Sequence, residues 1–453
     1  MPRSAEAVVA GAGIAGIAAT FHLTVRLGVG RVVVCDPRPP LTLTSDKSTE
    51  CYRTWWPNAP MVSLMQRSVD LLEELAEESG DAFGLNRRGY LYVTADPDRL
   101  DVLRRSAEVA SAAGAGELRV HRGGPKDPAY RPSPAAGWQG VRDGADLFLD
   151  GEALRRQFPY LTEDTVGGLH ARRAGWFSAQ QLGAWMLEQA LRAGAVVVDM
   201  PVTGVEIRGG VQAVVLSDGS RIETPALIDA AGPMIAEVGR LAAVDLPVHH
   251  EVHHKVGFRD RLGTVPRDAP MLIWNDPQRL AWDGAERQML ESEGRHELVA
   301  EMPAACHGRP EGGPESPWVL ALWEYHRAVH TEPVFPLPVD PLYPEVVLRG
   351  MTAMLPGMSR YLDRLPVPVV DGGYYTKTVE NRPLVGPAGP EGFVVCGALS
   401  GFGVMAAAGA GELAALHATG SPLPGYAPAF LLSRYDDPAY LEEISQVADT
   451  GQL

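Results

Sequence analysis

Cysteine is scarce: Cys35, Cys51, Cys306 and Cys396 are the four in 453 residues, scattered without CxxC spacing. At least two of them fall in or beside apolar runs that read as strands, which argues against a disulfide scaffold and a structural zinc site and fits a reducing cytosol. Positive charge is also short, with 40 Lys and Arg against 56 Asp and Glu for a formal charge of −16. Phosphate-backbone binding rests on clustered Lys and Arg, so nucleic acid is not an expected partner. Long apolar runs are missing as well. The longest, residues 5–21 and 393–416, are broken by glycines and acids, so no stretch of about 20 apolar residues is available to span a bilayer. The start, Met1-Pro2-Arg3-Ser4, leads into Glu6 and a glycine-rich motif with no cleavage-site pattern, and a cytoplasmic location is expected. No repeat recurs at a fixed period, which sets solenoids and propellers aside.

What remains is a chain with 45% hydrophobic and 21% charged residues, enough for one large core or two to three smaller ones. Residues 5–36 read as strand, tight turn, helix and strand, the pattern of a parallel sheet covered on both faces. Met61, Leu64, Met65, Val69, Leu72 and Leu75 recur at helical spacing and predict an ordinary amphipathic helix. Residues 121–144, rich in Gly and Pro, predict a surface loop. A helix is expected from Ser178 to about Arg192, a hairpin around Asp218-Gly219, and a buried strand over 226–232. Residues 247–365, with dispersed His, Trp and Pro, read as a separate sheet-based module. The compact end of the chain is a strand at 392–397, a glycine turn, and a small-residue helix from Val404 to His417.

Gly11, Gly13 and Gly16 have GxGxxG spacing between that first strand and helix. In this context Gly11 allows the tight turn, Gly13 admits a pyrophosphate close to the backbone, and Gly16 lets helix and sheet pack closely. The helix N-terminus at Ile14 and Ala15 offers unpaired N–H groups to a diphosphate. Asp36, twenty residues past Gly16, is placed to accept bonds from the adenosine ribose, and Arg38 leaves a 2′-phosphate open as the less natural choice. The acid does not separate FAD from NAD. The far end of the chain does: Gly397, Gly401 and Gly403 would let a loop and helix N-terminus approach a flavin pyrimidine, whose oxygen gains negative charge on reduction.

With these residues in hand, the chain resembles the FAD-dependent amine and amino-acid oxidoreductases of the DAO family, which include glycine oxidase, sarcosine oxidase and D-amino-acid oxidase or dehydrogenase. The resemblance runs through GAGIAG with Asp36, the segment Ser48-Thr49-Glu50-Cys51-Tyr52-Arg53, AGWFSAQQLGAWMLEQALRAGA, ALIDAAG, YYTKTVENRPLVGP and VVCGALSGFGVMAAAGAGELAALHATG. It implies an α/β plus α+β fold: a Rossmann-like FAD-binding domain of the glutathione-reductase type, assembled from residues 1–90, 160–246 and 366–440, with an antiparallel-sheet substrate domain from 91–159 and 247–365 and a tail at 441–453. It further implies that the Val202 backbone touches adenine, that Ala231 and Gly232 lie beside the diphosphate, and that Leu399, Ser400, Gly401, Phe402, Gly403, Val404 and Met405 form the flavin-pyrimidine loop. The expected reaction is oxidation of the CH–NH bond of an amino acid or secondary amine to an imine, by hydride transfer to flavin N5, with hydrolysis of the imine and oxygen as acceptor. A dehydrogenase using a quinone or carrier protein, a CH–OH substrate, and a noncatalytic flavin-bound protein are the alternatives. The position of a covalent cysteine in sarcosine oxidase is Gly373 here, so noncovalent FAD is expected, and Met405 stands where that enzyme has a carboxylate-binding lysine. Substrate identity and oligomeric state stay open.

Three residues are the expected substrate-side chemistry. Arg53, followed by Trp55-Trp56, would clamp a carboxylate with two parallel bonds; the structural alternative is pairing with Glu50 or Asp46. Tyr375 and Lys377 share one strand face, with Tyr375 expected toward substrate and Lys377 near the flavin or, alternatively, paired with Glu380. His249, His250, His253 and His254 do not read as metal ligands, since adjacent strand residues face opposite ways. A substrate-contacting strand or a polar strand edge is expected there. Trp274, Trp282, Trp318, Trp323 and Tyr325 are expected in the roof, as pocket or as core.

Overall fold

The computed structural model describes residues 2–325 and 328–446; the part of the expected tail beyond 446 lies outside the described residues. Its first layer is a six-stranded sheet in the order Leu384–Pro387, Phe393–Gly397, Leu227–Asp229, Ala7–Ala10, Val32–Cys35 and Val196–Val198. All neighbours run parallel except Leu384–Pro387, which is antiparallel to Phe393–Gly397. The strands are short and largely apolar because both faces are covered. Helices Ile14–Phe21, Ala59–Ser79 and Gly403–Thr419 pack on one face and a three-stranded sheet, Val202–Ile207, Val211–Leu216 and Arg221–Glu223, on the other. The small residues of the last helix permit close helix contact, since a Cβ at Gly411 would sit 2.6 Å from the Ala18 Cβ. This order has one consequence for the site. Phe393–Gly397 and Ala7–Ala10 flank the same strand, Leu227–Asp229, so three strands, remote in sequence, end side by side at one edge of the sheet. In open α/β sheets that carboxyl edge is where ligands bind.

The second layer is a ten-stranded, mainly antiparallel sheet running from Val329–His330 through His249–Arg259, Trp318–Leu322, Cys306–Glu311, Met271–Trp274, Tyr90–Thr94, Gly167–Ala171 and Ala145–Phe148 to Leu118–His121, with Val369–Lys377 paired to His249–Arg259. Strands Gly167–Ala171 and Val369–Lys377 hydrogen-bond into this sheet, although the sequence boundaries group them with the nucleotide-binding segments. The expected polar strand edge at 249–254 is corrected: His249–Arg259 is an inner strand, paired along 249–257 on one side and with Trp318–Leu322 and Val329–His330 on the other. Its polar side chains are tolerated because they find partners, His250 with Thr376 Oγ1 at 3.1 Å and His253 with two carboxylates. Of the roof aromatics, Trp274 and Trp323 are buried in one apolar cluster, Trp282 and Tyr325 partly cover it, and Trp318 lies half-buried outside it under the Arg259 guanidinium at 5.3 Å. No helix among the described residues is long and apolar enough to cross a membrane.

One buried acid in the first layer has a measurable cost. Asp229 is fully buried; burial holds its carboxyl well above the usual carboxylate range, opposed by the Ala231 N–H it accepts at 3.2 Å. A folded-state value raised above the unfolded value of about 3.9 contributes stability fully below that value and loses it as pH rises through the folded one. Asp229→Asn is therefore expected to flatten the pH–stability profile and to gain roughly 1 kcal/mol at neutral pH, read from denaturation midpoints between pH 5 and 8. A profile as steep as that of the natural chain would contradict this.

Candidate functional site

The turn after Ala7–Ala10 shows why its glycines are needed. Gly11 has φ of 108°, and a Cβ there would lie 2.4 Å from the Ala230 carbonyl oxygen; at Gly16 a Cβ would lie 2.0 Å from the Gly11 oxygen. Both positions are demanded by the turn and the adjoining strand end. Gly13 differs. Its backbone is extended, φ −74° and ψ 177°, and the nearest atom to a Cβ is Ser45 Oγ at 3.3 Å. Gly13, Ile14 and Ala15 line a cleft with Ala230, Gly232, Cys396, Gly397, Leu399, Ser400, Gly401, Gly403 and Val404. Ser45 Oγ accepts the Ile14 N–H at 3.0 Å, at the helix end where a diphosphate would take it.

Next to this cleft lies a second cavity lined by Gly11, Asp36, Arg38, Val202, Thr203 and Ala231. The Asp36 carboxylate accepts the Ala12 N–H at 2.8 Å and the Arg38 N–H at 2.9 Å, and each oxygen keeps a lone pair for a further donor. The Arg38 guanidinium lies over the Phe335 ring at 5.8 Å, and Phe335 and Pro333 close the cavity from the second layer. That segment is tied down by Tyr374, whose hydroxyl accepts the Val334 N–H and donates to its carbonyl, both at 2.7 Å.

On the other side of the cleft is a smaller cavity lined by Arg53, Trp56, Tyr90, His307, Glu324, Phe402 and Met405, sharing Thr49, Leu322, Tyr375 and Gly401 with the cleft. Tyr375 and Gly401 are thus the common wall. Tyr375 owes its position to the glycine, because a Cβ at Gly401 would stand 2.3 Å from its ring. Gly397 likewise serves packing, because a Cβ there would lie only 2.1 Å from Ile235 Cδ1, so the end of this strand is small for the protein's sake before any ligand arrives. Arg53 donates from Nη1 to Tyr92 Oη at 2.6 Å and stacks 4.4 Å over the Trp56 ring. Glu50 meanwhile accepts the Ala179 N–H at 2.8 Å, and Asp46 pairs with Lys47 at 2.7 Å.

Lys377, expected near the flavin, lines none of the three cavities: its Nζ meets Glu251 at 3.1 Å, and Glu380 is held by Arg434 at 2.7 Å. The cations on the cleft wall are Lys47 and Lys255, the latter donating to the Ser48 carbonyl at 2.7 Å and pushed down by burial. Sequence reasoning missed these two, and also Glu324 and His307. One signal was legible: His249, Glu251 and His253 stand at i, i+2 and i+4 of a strand and so share a face.

A family model described as FAD dependent oxidoreductase matches residues 6–416. The chain belongs to that family. Its members typically bind FAD, and the mixed architecture of a Rossmann-type sheet with a mainly antiparallel second sheet is the fold expected of FAD dependent oxidoreductases. Among curated proteins, mouse (Mus musculus) mitochondrial sarcosine dehydrogenase is 24% identical over 273 residues, covering 58% of this chain and 26% of that protein. The chain spans a quarter to a third of the length of the curated relatives it matches. Two solved structures share the fold end to end: L-proline dehydrogenase from P. horikoshii, TM-score 0.71 at 19% identity over 98% of this chain and 99% of the other, and glycine oxidase from Geobacillus kaustophilus, TM-score 0.71 at 17% identity over 95% and 99%.

Proposed function

We propose that this chain oxidises the CH–NH bond of an amino acid or secondary amine to an imine, which water hydrolyses, with FAD held noncovalently and oxygen as the acceptor. The observation that carries the reading is the run of three adjoining cavities from Asp36, past the GAGIAG turn and the 397–404 loop, to a pocket bearing both a cation and an anion. The residues fit the cofactor. Asp36 and the Val202 backbone would hold the adenosine, the N–H groups at Gly13, Ile14 and Ala15 with Ala231 and Gly232 the diphosphate, and Leu399, Ser400, Gly401, Gly403 and Val404 the flavin ring, while Phe402 and Met405 of the expected flavin loop face the substrate-side cavity. When bound, FAD supplies a two-electron acceptor; the protein orients the substrate and excludes water. Cys396 lines the cleft, but burial pushes its thiol up to about 12, which makes it a poor nucleophile at neutral pH and supports noncovalent binding.

The pocket beyond Tyr375 sets the substrate class. Arg53 offers a guanidinium to a carboxylate, Glu324 a carboxylate to an ammonium, and Trp56, Phe402 and Met405 an apolar wall. That pairing of charges in one small cavity matches an amino acid, primary or N-alkylated. The test is anaerobic reduction of the FAD-loaded protein by a panel of D- and L-amino acids, N-methylglycine, N,N-dimethylglycine, L-proline and hydroxy acids, followed by air. Bleaching by amino acids and rapid recovery of colour with peroxide release are expected. Bleaching by hydroxy acids alone, or by nothing, would overturn the reading, and bleaching without recovery in air would replace oxygen by another acceptor.

A further inference from the structure

Glu324, which faces the substrate ammonium, is one end of a connected set of ionisable side chains beside Tyr375, and His253 of that set also lines the cleft. Glu324 lines the substrate pocket, and its Oε1 is 3.1 Å from His253 Nδ1. The other nitrogen of that ring, Nε2, is 3.0 Å from Glu251 Oε2. Glu251 in turn meets Lys377 Nζ at 3.1 Å and, through Oε1, His249 Nε2 at 3.7 Å. Side-chain exposure runs 6% at Glu324, 3% at His253, 10% at Glu251 and 26% at His249, so one end faces the pocket and the other reaches solvent. Strand geometry builds the line: His249, Glu251 and His253 share a face, and Tyr375 and Lys377 lie opposite Glu251 and His249 on the paired strand. Tyr375 stacks on the His253 ring at 3.8 Å and 15°, fixing its plane beside the pocket.

We propose that Glu324, His253 and Glu251 carry the ammonium proton of the bound substrate out to solvent at His249. The idea rests on the amine-oxidising reading above and extends it, since hydride can leave the α-carbon only once the nitrogen holds its lone pair. The substrate N–H bond breaks with its electron pair left on nitrogen, and an O–H bond forms on Glu324. Glu324 passes that proton to the bare Nδ1 of a His253 ring that carries its own proton on Nε2, and the Nε2 proton then leaves to Glu251 and on to water. One proton enters and one leaves, so the charge of the line is unchanged. The imidazolium formed between these two transfers is what the surroundings favour: against burial, which lowers it, Glu324 and Glu251 hold the ring above the ordinary histidine range. The titratable and charged groups facing the line include Lys377 and Tyr375 from the paired strand, His307 from Cys306–Glu311, and Arg53 across the pocket.

The test uses Glu324→Gln and His249→Asn in the FAD-loaded protein, with N-methylglycine and L-proline as probes in parallel. Glu324→Gln is expected to slow anaerobic flavin reduction about 100-fold at pH 7 and to recover toward the natural rate near pH 10, where the free amine is already neutral. His249→Asn, on the exposed end, is expected to lose several-fold in weak buffer and to regain it with added imidazole. Independently of turnover, the ring 15N titration of His253 without substrate, assigned with His253→Asn, should move to lower pH in Glu324→Gln, because a carboxylate that raises the ring is lost. A His253 titration unmoved by Glu324→Gln, or a Glu324→Gln defect equal at pH 7 and pH 10, overturns the proposal while leaving amine oxidation standing. Failure of every amine to reduce the natural protein at any pH removes the amine reading, and the proton path with it.

Discussion

Gly13→Val is expected to give a folded protein that emerges colourless and takes up FAD at least about 100-fold more weakly than the natural chain, from the roughly 3 kcal/mol cost of forcing an extra side chain into a packed contact. The backbone at Gly13 is extended and suits any residue, and the protein's nearest atom to a Cβ there is Ser45 Oγ at 3.3 Å. The added methyls therefore enter the cleft, where the diphosphate would lie against the Ile14 and Ala15 N–H groups. Gly11→Ala makes the contrast. There φ is 108° and the Ala230 carbonyl is 2.4 Å from a Cβ, so the turn itself is strained and the denaturation midpoint falls together with FAD binding. Equilibrium FAD titration with a melting curve for each variant separates the two. A Gly13→Val protein that binds FAD normally would mean that the cofactor does not pass this turn.

Arg53→Met should raise KM about 10- to 100-fold for amino acids and leave it nearly unchanged for amines without a carboxylate. Charge-assisted bonds contribute about 1.5–3 kcal/mol each way, and methionine retains much of the apolar stem that packs on Trp56, 4.4 Å from the guanidinium. Lysine is no substitute, because a point charge lacks the planar fork that meets both carboxylate oxygens. Steady-state kinetics with paired substrates, one carboxylated and one not, read the split. Equal losses for both, or a loss confined to kcat, would assign Arg53 to holding Tyr92 and Trp56 in place rather than to the substrate.

The nucleotide half of the fold is readable in the sequence because its determinants are local. Val8, Val9 and Val32 to Val34 declare buried strands, and the spacing from Gly11 to Asp36 spans one βαβ unit. The glycine-rich far end is readable too, although its glycines at 397 and 401 proved to answer to Ile235 and Tyr375, contacts no local pattern contains. The second sheet resists for the same physical reason. Its strand Val369–Lys377 pairs with His249–Arg259 over a separation of more than a hundred residues, and whether a histidine-rich strand is an edge or an interior follows only from what pairs on each side. Glu324 has no motif around it. It becomes visible as a pocket residue once Trp318–Leu322 is docked beside His249–Arg259, and the partner of Lys377 was Glu251 across the strands, at 3.1 Å, in place of Glu380 three residues along.

Titrating the purified cofactor-free chain with FAD, and separately with NAD, tests most directly whether the two glycine-rich ends meet around one long flavin nucleotide. Stoichiometric, noncovalent uptake of FAD with quenching of its fluorescence, and no comparable uptake of NAD, is the expected result. A chain that stays colourless at saturating FAD, or that binds both nucleotides equally through adenosine alone, would contradict it.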